Sequence, residues 1–371
     1  MKKKYSLKII IFIIYIIMIK LFNLDLHISV IKDIQYIVKE LYSDKIEVIN
    51  WSISGHSWVF NEKSEYPEIL NLDTWRNIDI HKINNFVNRY KDFLSTFDGF
   101  IVTHTPVFCL LYETFNKPII LINTCRYEQP FSWNNNMEMW NYLNIKLKEM
   151  YDKKQLIAIS NNKADQEYLK MGTGIDSIHI PSLCLYTNAH YHPIKDTFII
   201  NNNFNINEKE NIVNKSSCLN DGYSWKEYYQ YKGIIHMPYE ISTMSIFEQY
   251  SANIPLYFPS KNYLIHLLKN NSYQIQSRYN KIWGNNNKYP NHLELCLNDD
   301  HWINFWIHNA DYYDENNMKH IIYFDNNEHL YELVKNIDHN YISEQMKIHN
   351  MERKKNVYTH WKNIFDQVFH L

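Results

Sequence analysis

The sequence predicts an α/β protein built from two parallel-sheet units, and three observations carry that prediction. Short apolar segments of strand length alternate with helical patterns along most of the chain, the signature of a parallel sheet with helices on both faces. At 371 residues the chain is long for one domain, and between 185 and 230 it turns polar, with an Asn-rich stretch at 201–214. Residues 233–260, GIIHMPYEISTMSIFEQYSANIPLYFPS, read as one complete strand–turn–helix–strand unit.

The chain opens with Met1 and three lysines, then an unbroken apolar run at 9–19 closed by Lys20. That is the length of a signal h-region and short of the roughly 17–25 residues of a spanning helix. Residues 1–20 are therefore expected to be a hydrophobic leader packed on the first strand, or a membrane anchor that makes the protein membrane-associated rather than cytoplasmic. The first unit, 21–188, has strands expected at 21–26, 46–51, 98–103, 119–123, 155–160 and 177–180. Between them, Ser29 reads as the cap of a helix in which Val30, Ile31, Ile34, Ile37, Val38 and Leu41 recur at helical spacing. Further helices are expected at 80–94, 107–115, 138–151 and 161–171, the last stopped by Gly172 and Gly174. The second unit, 189–340, holds the central strand–helix–strand unit, a helix near 263–269 and a strand at 320–324. Residues 276–314, rich in Trp, Tyr, Asn and Asp, have no assigned element, and 341–371 form a terminal helix.

Composition removes several classes of function. A net charge of −2 provides no basic field for nucleic acid. The five cysteines are odd in number and form no CxxC pair, which argues for reduced thiols rather than a disulfide framework or a zinc site. Walker, G-x-G-x-x-G and G-x-S-x-G motifs are absent, and Asn298, Asp299, Asp300 and His301 lack partner ligands at convincing spacing, so no metal or other cofactor is expected.

Within the central unit, Glu240 lies in the turn after the first strand and Glu248 in the helix, with seven residues between them. In a helix starting near Glu240, eight positions make slightly over two turns, so both carboxylates could share one side. The second strand is led in by Ala252, Asn253, Ile254 and Pro255. With that spacing and that tail, the stretch resembles the Glu-x7-Glu region of retaining glycosyltransferases of the GT-B fold, and it is similar also to glycosyltransferase-like proteins of giant DNA viruses. It departs from the family after the first Glu, where Ile241, Ser242 and Thr243 stand in place of the usual glycine.

The resemblance implies two Rossmann-like domains facing a cleft, a terminal helix crossing back onto the first of them, and a nucleotide sugar as donor. It places Glu248 on the ribose hydroxyls and Glu240 at the sugar. The backbone N–H groups of Ser242 and Thr243 would meet the diphosphate. The acceptor, whether glycan, protein or lipid, stays open. A metal-free leaving diphosphate needs cations, and Lys209, Lys215 and Lys226 all remain candidates. On the first unit the strand ends carry His27, His104 and Arg126; His104 is a candidate catalytic residue and Arg126 a candidate donor-binding cation. Two other readings compete: an inactive GT-B scaffold that binds carbohydrate or a protein partner, and a nucleotide-sugar epimerase, for which no acid–base pair is evident.

Overall fold

The computed structural model describes residues 18–54, 56–60, 67–124, 127–201, 206, 208–209, 211–220, 222–275 and 299–371. Among these the chain forms two sheets with every strand pairing parallel. The first is built from β1 (Ile19–Asp25), β2 (Ile46–Ser52), β3 (Gly99–His104), β4 (Ile119–Asn123), β5 (Leu156–Ser160) and β6 (Ile178–His179), in the order β2-β1-β3-β4-β5-β6. The second is built from β7 (Phe198–Ile200), β8 (Ile212–Asn214), β9 (Ile234–Ile235), β10 (Leu256–Pro259) and β11 (Ile322–Phe324), in the order β11-β10-β9-β7-β8. The connecting helices are α1 (Ile28–Tyr42), α2 (Ile80–Leu94), α3 (Met137–Asp152) and α4 (Lys163–Thr173) in the first half. The second half has α5 (Lys215–Cys218), α6 (Trp225–Tyr228), α7 (Met244–Ser251), α8 (Lys261–Lys269), α9 (Asp299–His308), α10 (Asn327–Asn336) and α11 (His339–Phe369). This is the expected α/β architecture of GT-B type, two Rossmann-like sheets facing a cleft.

Both sheets are doubly wound, and each reverses its strand order once: between β1 and β3 in the first, between β7 and β9 in the second. At such a point the connections leave on opposite faces and open a crevice beyond the carboxyl ends of the strands, which is where open α/β sheets hold ligands. The central strands explain themselves: all of β4 is buried, as is β3 up to its last residue, which is why both read as near-continuous apolar runs, with polar Thr103 and Asn123 only toward their carboxyl ends. Gly233, before β9, is demanded by crowding, since a Cβ there would lie 2.9 Å from the Pro255 carbonyl oxygen and 3.0 Å from the Tyr257 ring.

Several expectations are corrected. His27, not Ser29, occupies the N-cap of α1, with no side-chain capping bond, and Ser29 lies in the first turn. Residues 107–115 form two 3-10 turns in place of one helix, Pro106–Leu111, which is entirely buried, and Glu113–Phe115. The three-residue strands β7 and β8 were not expected. The N-terminal apolar run does not continue as a helix into the described residues: Ile19 and Lys20 already belong to β1, paired with Ile46 and Glu47. Among the described residues no helix is long and apolar enough to cross a membrane, so the expected anchor and membrane association are withdrawn. Residues 1–17 lie outside the described residues.

The two halves are joined through buried polar groups as well as apolar packing. α11, 31 residues and so roughly 46 Å long, runs from the second half to the first. There the Tyr42 hydroxyl donates to the Lys362 carbonyl at 3.1 Å and to Asp366 Oδ1 at 2.5 Å. Midway along α11, buried Arg353 donates to Asn317 Oδ1 at 2.7 Å, to Ser251 Oγ at 3.1 Å and to the Ser182 carbonyl, and its guanidinium lies over the rings of Phe247 and Tyr250.

Asp33 on α1 fastens the connection between the sheets by accepting from the N–H groups of Leu183 (3.0 Å) and Cys184 (2.7 Å). Burial raises its pKa to about 6, against the opposing effects of those bonds and of the Arg353 charge. The folded pKa is above the unfolded one, so the native state holds the extra proton between about pH 4 and 6, and stability falls as pH rises through that window. Relative to Asp33→Asn, the wild-type protein is expected to lose about 2 kcal/mol of unfolding free energy from pH 4 to pH 6. Denaturant titrations of both proteins across the window measure this, and a pH-independent difference would refute it.

Candidate active site

A cavity of about 530 Å³ lies between the two halves at their strand-order reversals. His27 and His104, following β1 and ending β3, form one wall together with Ser29, Thr124, Gln129, Trp133 and Asp165. The opposite wall is the segment from Tyr239 to Ser245 that follows β9, with Glu248 one turn deeper on α7. Five of the residues singled out in the sequence, Glu240, Glu248, Ser242, Thr243 and His104, therefore line one cavity. Arg126 lies outside the described residues.

His104 owes its position to the backbone. Its φ of 73° lies in the left-handed region, and the Thr105 N–H closes a three-residue turn onto the Thr103 carbonyl at 3.0 Å. The turn ends β3 abruptly and sets the imidazole stacked on that of His27, centroids 5.8 Å apart and planes 16° from parallel. His27 is exposed to the cleft yet surrounded by its walls; desolvation lowers its pKa, and the His56 charge adds to the effect.

On the other wall, α7 begins only at Met244. Glu240 thus precedes the helix, and the shared helix side expected of the two carboxylates does not exist; the strand-end turn brings them to one cavity instead. Glu240 is half-buried, and its Oε2 accepts from the Ile241 N–H at 3.2 Å. Thr243 holds the N-cap position of α7 but makes no capping bond, its hydroxyl pairing with that of Ser245 at 2.9 Å. The amides of the first turn have no side-chain acceptor from the cap and face the cleft with the positive end of the helix dipole. Ser242 gives its hydroxyl to buried Asp311, so its backbone rather than its side chain is what it can offer a ligand. Ala252 is the C-cap of α7, and Asn253 follows it with φ 64°, the left-handed turn that Asn tolerates.

Glu248 is the buried member of the pair. Oε1 accepts from the Tyr186 hydroxyl at 2.5 Å and Oε2 from the Trp225 indole N–H at 3.0 Å. Burial raises its pKa, those two bonds oppose the rise, and the Asp33 charge adds to it. A carboxylate has about four acceptor positions, so two hydrogen bonds orient Glu248 and leave it capacity to accept from a diol.

The three candidate lysines have different surroundings. Lys209 stacks on Tyr331 at 3.3 Å, and Lys226 is exposed on α6. Lys215 reaches Asn201 Oδ1 at 3.4 Å, over the rings of Tyr223 and Tyr228. Asn201 directly follows β7, its Oδ1 also accepts from the Tyr228 hydroxyl at 3.0 Å, and its amide is 3.4 Å from His236 Nδ1. His236 Nε2 lies 2.7 Å from Gln249 Oε1. Desolvation lowers the His236 pKa to about 4, the Lys215 charge assisting, so the ring is neutral at pH 7. The contacts then assign one tautomer, with Nε2–H donating to Gln249 and Nδ1 accepting from Asn201. This chain places the Lys215 charge beside the small recess shared by Asn201, His236, Glu240, Thr243 and Ser245. Sequence spacing gave no means of selecting Lys215, because its selection depends on contacts with β7 and α6.

No family model matches the chain, and no curated protein does. Among solved structures it is similar to the spinosyn forosaminyltransferase SpnP, with 9% identity and a TM-score of 0.45 over 95% of this chain and 99% of that one. It is similar to the glycotransferase of kitacinnamycin, with 9% identity and a TM-score of 0.46 over 94% and 98% of the two chains. A Listeria monocytogenes protein assigned as a UDP-N-acetylglucosamine 2-epimerase gives 10% identity and a TM-score of 0.40 over 65% of this chain and 79% of that one. At such low identity and overlap, the roles of the residues are argued from this chain's own geometry.

Proposed function

We propose that this protein is a glycosyltransferase that moves a sugar from a nucleotide-sugar donor to an acceptor hydroxyl, with retention at the anomeric carbon. The observation that carries the reading is the convergence of Glu240, Glu248 and the α7 N-terminus at one strand-order reversal, directly across a cavity from the His27–His104 pair at the other. The donor lies on the second half. Glu248, held by Tyr186 and Trp225, accepts from the ribose hydroxyls. The α7 amides and the Lys215 ammonium stabilise the diphosphate as it departs with added charge. Glu240 sits at the sugar, where its negative charge favours the cationic character that develops at the anomeric carbon. His104, across the cavity, is placed to orient the acceptor hydroxyl.

Calorimetry with nucleoside diphosphates, followed by a donor-hydrolysis screen over common nucleotide sugars, tests the reading. Lys215→Ala is expected to weaken nucleoside diphosphate binding by roughly ten- to a hundredfold, the worth of one charge-assisted hydrogen bond. A wild-type protein that binds no nucleoside diphosphate would sink the proposal. The engagement of both Glu248 oxygens by Tyr186 and Trp225 favours one alternative, a scaffold that binds carbohydrate without turnover. That alternative gives carbohydrate binding with no donor hydrolysis.

A further inference from the structure

Trp133 is an anomaly on the acceptor side of the cleft. It is 45% exposed although the surrounding fold buries Trp75, Trp140 and Trp306 almost completely. It is not a loose surface side chain. Its backbone N–H donates to the Pro130 carbonyl at 3.0 Å, and the side-chain amide of the next residue, Asn134, donates to Asn77 Oδ1 at 3.1 Å. Trp75 meets the indole edge-on at 5.4 Å, and the Arg76 guanidinium stands over the ring at 5.5 Å. Held by these two contacts, the ring keeps its exposed surface at a fixed orientation, and Trp133 lines the cavity. Its neighbours on that wall, His27, His104, Thr124 and Gln129, are hydrogen-bonding groups.

From this juxtaposition we propose that the acceptor is a carbohydrate whose sugar ring stacks on Trp133, with its hydroxyls directed to the polar groups around His104. The inference rests on the glycosyltransferase reading of the same cleft. A pyranose combines an apolar C–H face with a rim of hydroxyls, and a single rigid indole inside a polar wall complements that pattern. An acyl chain would need continuous apolar surface, which one exposed ring among polar groups does not provide. An extended peptide captured by strand addition needs an open sheet edge, whereas this wall is made of strand ends.

The test titrates neutral tetrasaccharides of β-glucose, β-N-acetylglucosamine, α-glucose and α-mannose into the full-length protein, by calorimetry and by the Trp133 indole N–H resonance. At least one is expected to bind at millimolar or tighter affinity and to shift that resonance. W133A should weaken it by about tenfold or more, as truncation of a stacking tryptophan does, and W133F should restore most of the affinity. Nucleoside diphosphate binding, measured on the same samples, should be the same in all three proteins and confirms that each is folded. Failure of every tetrasaccharide to bind, or equal binding by wild type and W133A, overturns the proposal, as does Trp133-dependent binding of a lysolipid or a peptide in place of the sugars. A wild-type protein that binds a tetrasaccharide through Trp133 but no nucleoside diphosphate would overturn the transferase reading and leave a carbohydrate site.

Discussion

Glu240→Gln is expected to lower sugar-transfer turnover by about 10²–10³ while changing nucleoside diphosphate affinity by no more than about twofold. The substitution keeps the shape of the side chain and can keep the 3.2 Å bond from the Ile241 N–H. It removes only the negative charge, whose interaction with the sugar grows as the anomeric carbon becomes cationic. The charge therefore matters in the transition state more than in the bound ground state. Initial rates with the preferred donor, set beside calorimetry with the matching nucleoside diphosphate, separate the two quantities. Parallel losses in rate and affinity, or no loss in either, would remove Glu240 from the chemistry.

The second large effect is on stability. Arg353→Met should cost about 3–5 kcal/mol, because methionine fills much of the space but leaves buried acceptors and charge behind. Asn317 Oδ1 and the Ser182 carbonyl lose their donor, and buried Asp33 and Asp311 lose a compensating charge. Denaturant unfolding compared with Arg353→Lys, which keeps the charge but not the planar fork, gives the scale. A methionine variant as stable as wild type would show that the guanidinium contributes no net stability.

What could be read from the sequence follows how local each signal is. Residues 80–94 were bounded correctly as α2, and the Asp79 side chain caps its first turn by accepting from the Lys82 N–H at 2.7 Å. Residues 119–123 were bounded correctly as β4 because burial on both faces leaves a near-continuous apolar run. β7 and β8 escaped notice because three residues carry too little periodicity in an Asn-rich background, although β7 lies at the strand-order reversal that opens the cleft. In the site, the spacing of Glu240 and Glu248 was legible, but the reason first given for their proximity, a common helix side, was not the right one. Neither the anchoring of Glu248 by Tyr186 and Trp225 nor the reach of Lys215 to Asn201 could be read, since each joins residues that only the folded sheet brings together. Trp133 gave no signal of its own, because exposure of a loop tryptophan is decided by what packs around it.

Among the described residues the chain passes between the two halves through the segment that joins β6 to β7 and again through α11. Arg353 binds the Ser182 carbonyl where those two passages meet. Because the two passages are fastened to each other there, the joint between the halves is a single splice rather than two loose strands. Tyr186 lies in the joining segment, a few residues on from Ser182. Because its hydroxyl donates to Glu248, the segment that splices the two halves also sets the aim of that carboxylate in the cavity.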